Sequence, residues 1–221
     1  MVASTVGLMA EQVDAVIVMD HGSTDGTRDV LSGLSGRYPL LVLDDADPLF
    51  RQSEAMNQLV TIATENLGAD WIVPFDADEV WDLPEDPPSD ADTVRFRAFD
   101  HVIVNGVDGM PYRRSLSSST KVMFRPGTGR RLVMGNHSVS QPGQTVEADG
   151  IVHHFPNRSV AQFERKVRRG VATYREGDYG GHWHRMAAQI DEEGAESLFR
   201  HFHADSPDGL VYDPVQPKSS V

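Results

Sequence analysis

The chain reads as an α/β protein, built on a mostly parallel, Rossmann-like sheet flanked by helices. Three observations carry this. Short apolar runs at Ala15–Met19, Leu40–Leu43 and Trp71–Phe75 alternate with helix-like segments, and strand–helix–strand order implies parallel pairing through crossover helices. The first and third runs each end in a polar, acid-bearing turn. From Leu83 onward the pattern changes to short strands separated by turns, which predicts a mixed or antiparallel C-terminal part.

Taken in order, Thr5–Gln12 fits the end of a first helix, and Ala15–Met19 (AVIVM) is a β-branched, buried-strand run. A helix opens near Ser23–Thr27, with Ser23 or Thr24 as the N-cap. Ser53–Glu65 has helical spacing through Met56, Leu59, Val60 and Ala63. Trp71–Phe75 (WIVPF) runs straight into Asp76-Ala77-Asp78-Glu79. Leu83–Asp92, rich in proline and acid, is a loop. Thr93–Phe99, His101–Asn105, Lys121–Phe124, His137–Ser140 and Gly150–Phe155 are candidate strands, and Ser159–Glu176 is a basic helix with Phe163, Val167 and Val171 on one face. Ala195–Phe202 is a last short helix. Residues 1–203 thus form one domain in two parts, 1–82 and 83–203, with 204–221 a loose tail.

Composition narrows the function. The 221 residues are 39% hydrophobic and 24% charged, a globular profile. A net charge of −13 disfavours nucleic acid as a partner. It also means that an anionic nucleotide needs a local cation or backbone amides to bind. There is no cysteine, so disulfides and thiolate chemistry are excluded. No apolar stretch reaches the length of a transmembrane span, and Met1–Ala10 lacks the features of a secretory signal. The expected location is cytoplasmic, with the inner membrane face as a peripheral site. Two glycosylation-type triplets, at Asn136 and Asn157, are read as chance.

Two motifs carry chemistry. Asp76 and Asp78 lie one residue apart at a strand's carboxyl end, where ligands of open parallel sheets bind. Such a pair can share Mg²⁺ or Mn²⁺, which neutralises a diphosphate leaving group. Taken alone, the triplet reads first as an acidic turn capping the next helix. The second motif, Asp20 to Thr27 (DHGSTDGT), offers glycines for close backbone approach, the hydroxyl of Ser23, and Asp20 and Asp25 as acceptors. A well-capped strand-to-helix turn needs the same residues, and the lysine of a phosphate-binding P-loop is missing.

Together, VIVMDHGSTDGT, RQSEAMN at Arg51–Asn57 and DWIVPFDADEVW resemble glycosyltransferase family 2, with its GT-A fold. Gly135-Asn136-His137 and the HHFPNRS segment at His153–Ser159, followed by Phe163 and Lys166, resemble one bacterial branch of that family. The similarity spans roughly residues 10 to 185. It implies a metal-dependent enzyme that moves a sugar from a nucleotide-sugar donor to a glycan, lipid or small-molecule acceptor, with inversion. By the resemblance Asp20 contacts the nucleoside, Asp76 and Asp78 bind metal and donor, and His154, or its neighbour His153, is a further metal ligand. Ser23, Asp25 and Arg51 join the donor site, and Arg158, Arg165 and Lys166 face the diphosphate. Asp78 is counted with the catalytic groups, and the general base is sought among Glu79, Asp100 and His137. His137 alone reads as a hydrogen-bonded structural residue. A dedicated zinc site is not expected, because His182/His184 and His201/His203 have spacing two, which shares a face only on a strand.

One departure stands out. The family begins with a strand that sits centrally, beside Ala15–Met19; here that strand is missing, and the expectation is a chain that starts late. Two rival readings remain: a non-catalytic nucleotide-sugar binding protein, and a nucleotidyltransferase using nucleoside triphosphates.

Overall fold

The computed structural model describes residues 1–45, 51–133, 136–173 and 181–215. Helix α1 (Val2–Ala10) leads into strand β1 (Val16–Asp20), helix α2 (Thr27–Ser35) and strand β2 (Leu40–Asp44). β1 and β2 pair in parallel, Val16 with Leu40 through Asp20 with Asp44. Val6 of α1, Val16 of β1 and Leu31 and Leu34 of α2 form their shared core. Helix α3 (Gln52–Leu67) follows, and ends on Gly68 in the left-handed conformation, which glycine adopts without Cβ strain.

The larger sheet is mixed. It contains β3 (Glu79–Trp81), β4 (Thr93–Val104), β5 (Tyr112–Arg114), β6 (Ser119–Phe124), β9 (Thr145–His154), β10 (His203–Ala204) and β11 (Leu210–Tyr212), while β7 (Leu132–Val133) and β8 (Ser138–Val139) form a separate hairpin-like pair. β4 is its centre, antiparallel to β5 and β6 and parallel to β9 and β10. Trp81, Phe96, Met123 and Val152 form the main core with Met9 of α1. Helices α4 (Val160–Thr173), α5 (Gly181–Glu193) and α6 (Ala195–Phe199) bury a second core around Phe163, Val167 and Ile190.

The α/β class and the mixed C-terminal sheet agree with the sequence; several elements differ. Trp71–Phe75 is no strand: its one ladder contact is a bridge between Ile72 and Phe124. Pro74, two residues on and facing the same way, has no N–H to continue that ladder. Of the parallel sheet expected in the first half of the chain, the described residues show only the β1–β2 pair. The two strands expected at Thr93–Phe99 and His101–Asn105 are one twelve-residue strand. Glu79 starts a strand instead of capping a helix. Helix α2 begins at Thr27 with Gly26 as its N-cap, so neither Ser23 nor Thr24 has that role. The basic helix runs over Val160–Thr173, and its expected last turn lies outside the described residues. Leu210–Tyr212, in the expected loose tail, pairs with β5.

Gly150 shows how tightly the site's supporting strand is packed. A Cβ there would lie 2.1 Å from the backbone oxygen of Asp82, where Asp82 N–H donates to Ile151 O. Gly150→Ala therefore forces two backbones apart. The expected loss is about 1–3 kcal/mol, as for other overpacked positions, read by denaturant unfolding; an unchanged midpoint would contradict the close approach.

Candidate functional site

The site gathers at the carboxyl ends of β1 and of the Trp71–Phe75 segment. Asp20 is the last residue of β1 and is 4% exposed. Its carboxylate accepts from Ser23 N–H at 3.3 Å and from Arg28 Nε at 2.7 Å. Burial works against its charge, but these donors outweigh burial and hold its pKa below the ordinary value. Asp25 accepts from both the N–H and the hydroxyl of Thr27, bonds that lower its pKa and secure the first turn of α2. The turn is tied to the basic helix: Arg169 of α4 donates to the backbone oxygen of His21 at 2.9 Å.

The acidic triplet splits into two settings. Asp76 turns toward β6, where Lys121 Nζ donates to it at 3.0 Å, and Gln52 of α3 donates to its other oxygen at 3.1 Å. Asp78 turns the other way. Lys166 Nζ of α4 lies 3.0 Å from one oxygen, and His154 Nε2 of β9 lies 3.8 Å from the other. Burial opposes its charge, yet Lys166 and His154 together keep its pKa below the ordinary carboxylate value. His154 Nδ1 bonds Asp100 at 2.8 Å. Burial disfavours the imidazolium, but Asp100, Asp78 and Glu79 outweigh it and raise the His154 pKa.

This geometry sorts the expected metal ligands. Asp78 and His154 come together, and Asp100 holds the ring with Nε2 aimed at Asp78, the arrangement by which an outer carboxylate orients a ligating histidine. Asp76 is instead held by Lys121 and Gln52. Among the described residues no group of three or more His, Asp or Glu is placed to hold a metal ion. A nitrogen and a carboxylate still fit a divalent cation that takes its remaining ligands from phosphate and water. His153 faces the interior: it bonds His101 at 2.9 Å and Asp82 at 3.1 Å, and burial pushes the His101 pKa down to about 4. The late-strand residue at the site is therefore His154.

The remaining sequence candidates scatter. Glu79 is 1% exposed and points into the core, paired with Lys121 at 2.6 Å and bonded by Trp81 Nε1 and by Asp76 N–H; burial and Asp76 raise its pKa despite Lys121. So enclosed, it cannot reach an acceptor. Asp100 is occupied with His154 and Ser118. His137 donates through Nδ1 to Thr120 O at 3.0 Å, which leaves Nε2 as the lone-pair nitrogen; burial and Lys121 lower its pKa. Gly135, beside it in the sequence motif, lies outside the described residues. Arg158 donates to Phe155 O, and its charge helps to keep Asp78 ionised. Arg165 is exposed on α4, and exposed Arg51 pairs with Glu54 at the start of α3. His182 and His184 lie on helix α5, so they do not share a face.

Sequence reasoning missed Gln52, Lys121, Asn136, Arg28 and Arg169. Lys121 Nζ also donates to Asn136 Oδ1 at 2.6 Å, and Asn136 Nδ2 donates to Pro74 O at 3.2 Å. A lysine directly at the head of the apolar run Val122–Phe124 of β6 was the available signal for this buried cation.

No helix among the described residues is long and apolar enough to cross a membrane. No curated protein matches the chain. Residues 2–88, which carry both the Asp20 turn and the Asp76–Asp78 acids, match the model of glycosyl transferase family 2 and so support a glycosyltransferase of the nucleotide-sugar type on a GT-A, Rossmann-like fold.

Proposed function

We propose that the chain transfers a glycosyl group from a nucleoside-diphosphate sugar to an acceptor hydroxyl, inverting the anomeric carbon. The observation that carries this reading is the placing of Asp78 between His154 and Lys166, beside a strand-end turn that Arg169 ties to the same helix. Asp20 and the Ser23–Asp25 turn receive the nucleoside. Lys166, Arg158 and Arg169 supply positive charge around the diphosphate in an otherwise acidic protein. Asp78 and His154 would hold a Mn²⁺ or Mg²⁺ ion, which would supply further positive charge toward a leaving nucleoside diphosphate. Asp76 serves as a positioning group, held by Lys121 and Gln52.

Of the three candidates for the base, His137 is the one with a lone-pair nitrogen not already committed to a hydrogen bond among the described residues. It takes the acceptor proton at Nε2 while the acceptor oxygen forms the new bond to the anomeric carbon and the bond from that carbon to the phosphate oxygen breaks. The lowered pKa keeps the ring neutral at physiological pH.

A thermal-shift panel tests the assignment. Nucleotide sugars with Mn²⁺ are expected to raise the melting temperature, since a ligand that binds the native state stabilises it, and nucleoside diphosphate release is expected to follow with acceptor. A larger shift with nucleoside triphosphates would identify a nucleotidyltransferase instead. Binding of nucleotide sugars without any release or transfer would reduce the protein to a binding module.

A further inference from the structure

The strand register extends the candidate site past the residues assigned above. Side chains of directly paired residues, and of alternate residues along one strand, share a face of the sheet. His154 of β9 pairs with Asp100 of β4. Val102, two residues on from Asp100, pairs with Tyr112 of β5, and Tyr112 pairs with Tyr212 of β11. Both tyrosines therefore stand on the face that presents Asp100 and His154. Antiparallel pairing places Asp100 and Tyr112 on a diagonal, about 7–8 Å apart, within the reach of a single sugar ring.

The tyrosine pair is built like a platform. Strand β11 buries none of its three side chains, so core formation does not account for its return to the edge of the sheet. What it does is hold out Tyr212, which is 65% exposed. The Tyr212 ring meets that of Tyr112 edge-on, with centroids 5.2 Å apart and planes at 66°, and a face of it stays open to solvent. On the opposite side of the sheet the strand is clamped: Arg113 pairs with Asp213 and lies 4.3 Å over the Phe99 ring. Between the platform and His154 the surroundings are polar. Exposed Arg114, the residue after Arg113, is close enough to Asp100 to favour its charge, and Ser118 donates to Asp100 at 3.0 Å.

We infer that the acceptor is a carbohydrate, and that one of its pyranose rings stacks on Tyr212 and Tyr112 while its hydroxyl rim faces Arg114, Ser118 and Asp100. The inference rests on the transferase reading and names the acceptor class for it. The chemistry selects a sugar over a lipid chain. A pyranose carries C–H groups on a face and hydroxyls around its edge. The negative face of an aromatic ring attracts those C–H groups, and the hydroxyls find the guanidinium of Arg114 and the oxygens of Ser118 and Asp100. An alkyl chain would gain the two rings alone and would lie against charged groups that it cannot hydrogen-bond. The shared sheet face then leads the acceptor from the platform toward the site at His154 and Asp78.

The test follows the ring signals of Tyr112 and Tyr212 by NMR in the 221-residue protein. The probes are methyl β-glucoside, methyl β-galactoside and methyl α-mannoside, with hexan-1-ol as a hydroxyl on an alkyl chain. Each pyranoside offers at least one C–H face, so a saturable shift of both rings is expected with at least one of them. Tyr212→Ala is expected to weaken that binding roughly 2- to 10-fold, the worth of one aromatic contact, and Tyr212→Phe, which keeps the ring, to retain it. No ring response to any glycoside would overturn the inference. So would a response to hexan-1-ol that equals theirs, or binding that Tyr212→Ala leaves unchanged. The rise in melting temperature with nucleotide sugar and Mn²⁺ is read on the same samples. If the wild type lacks that rise, the transferase reading fails; if the rise is present and the rings do not respond, the carbohydrate acceptor alone fails. With transfer measured, Tyr212→Ala should raise the acceptor KM by the same factor, and a fall confined to kcat would contradict a stacking role.

Discussion

Asp78→Asn is expected to lower the rate of sugar transfer by roughly 10²–10³-fold, the usual loss when one preorganised electrostatic group is removed from a reacting centre, while the protein stays folded. The amide keeps the volume of the acid. It removes the charge that Lys166 and His154 face at 3.0 and 3.8 Å. The Mn²⁺-dependent rise in melting temperature should vanish with it. Asp76→Asn serves as the contrast: its partners are Lys121 and Gln52, so the Mn²⁺ response should persist. If Asp76→Asn abolished that response and Asp78→Asn spared it, the division of the acidic triplet would be wrong.

The pH dependence follows from two opposite shifts. Asp78 has a lowered pKa, so its carboxylate contributes fully above the ordinary value of 3.8, and that contribution is lost only as pH falls through the still lower folded value. His154 has a raised pKa, and a protonated imidazole cannot ligate a metal. The Mn²⁺ response should therefore be complete above that raised value and fade as pH falls through it, in a window that lies above 6.5 and far from the Asp78 titration. A response that fades only in the carboxylate range would remove His154 from the ligand set.

The parts of the site that could be read in the sequence share a property: each is signalled by residues close together in the chain. The Asp20 turn follows an apolar run, and Asp78 follows another. His154 stands at the end of a strand pattern, and Lys166 lies in a basic helix. The parts that could not be read are pairings across long separations. Lys121 meets Asp76 over 45 residues and Arg169 meets His21 over 148. Asp100 meets His154 because β4 and β9 run parallel in a register that places those two residues side by side, and nothing local fixes that register. The same limit explains Glu79. As part of an acidic triplet it reads as a site group, but alternation along β3 turns it inward to Lys121. The third strand failed for another reason. Its apolar pattern is sound, yet a strand forms only where a neighbour accepts its hydrogen bonds, and residues 71–75 line a cavity on the side away from Phe124.

Lys121→Met carries the largest expected effect on stability. Lys121 is 3% exposed and its ammonium meets Asp76 at 3.0 Å, Glu79 at 2.6 Å and the Asn136 side-chain oxygen at 2.6 Å. Burial alone would lower its pKa, but the two carboxylates outweigh burial and raise it. Its contribution is thus present below 10.5 for as long as the carboxylates it meets are ionised, and on the alkaline side it is lost as pH rises through the higher folded value. Methionine fits the space and removes the charge, leaving Glu79 enclosed without a cation. Breaking a buried pair in this way costs about 3–5 kcal/mol, which for a chain of this size is on the order of a 10 °C fall in melting temperature. The penalty should shrink at acid pH, because burial and Asp76 already raise the Glu79 pKa and a protonated Glu79 needs no partner. Glu79→Gln in the same chain should recover part of the loss, since the uncompensated charge is the cause and the missing ammonium is not. Two losses that simply add, with no recovery at low pH, would show that packing around Lys121 and not its charge holds Asp76, Glu79 and Asn136 together.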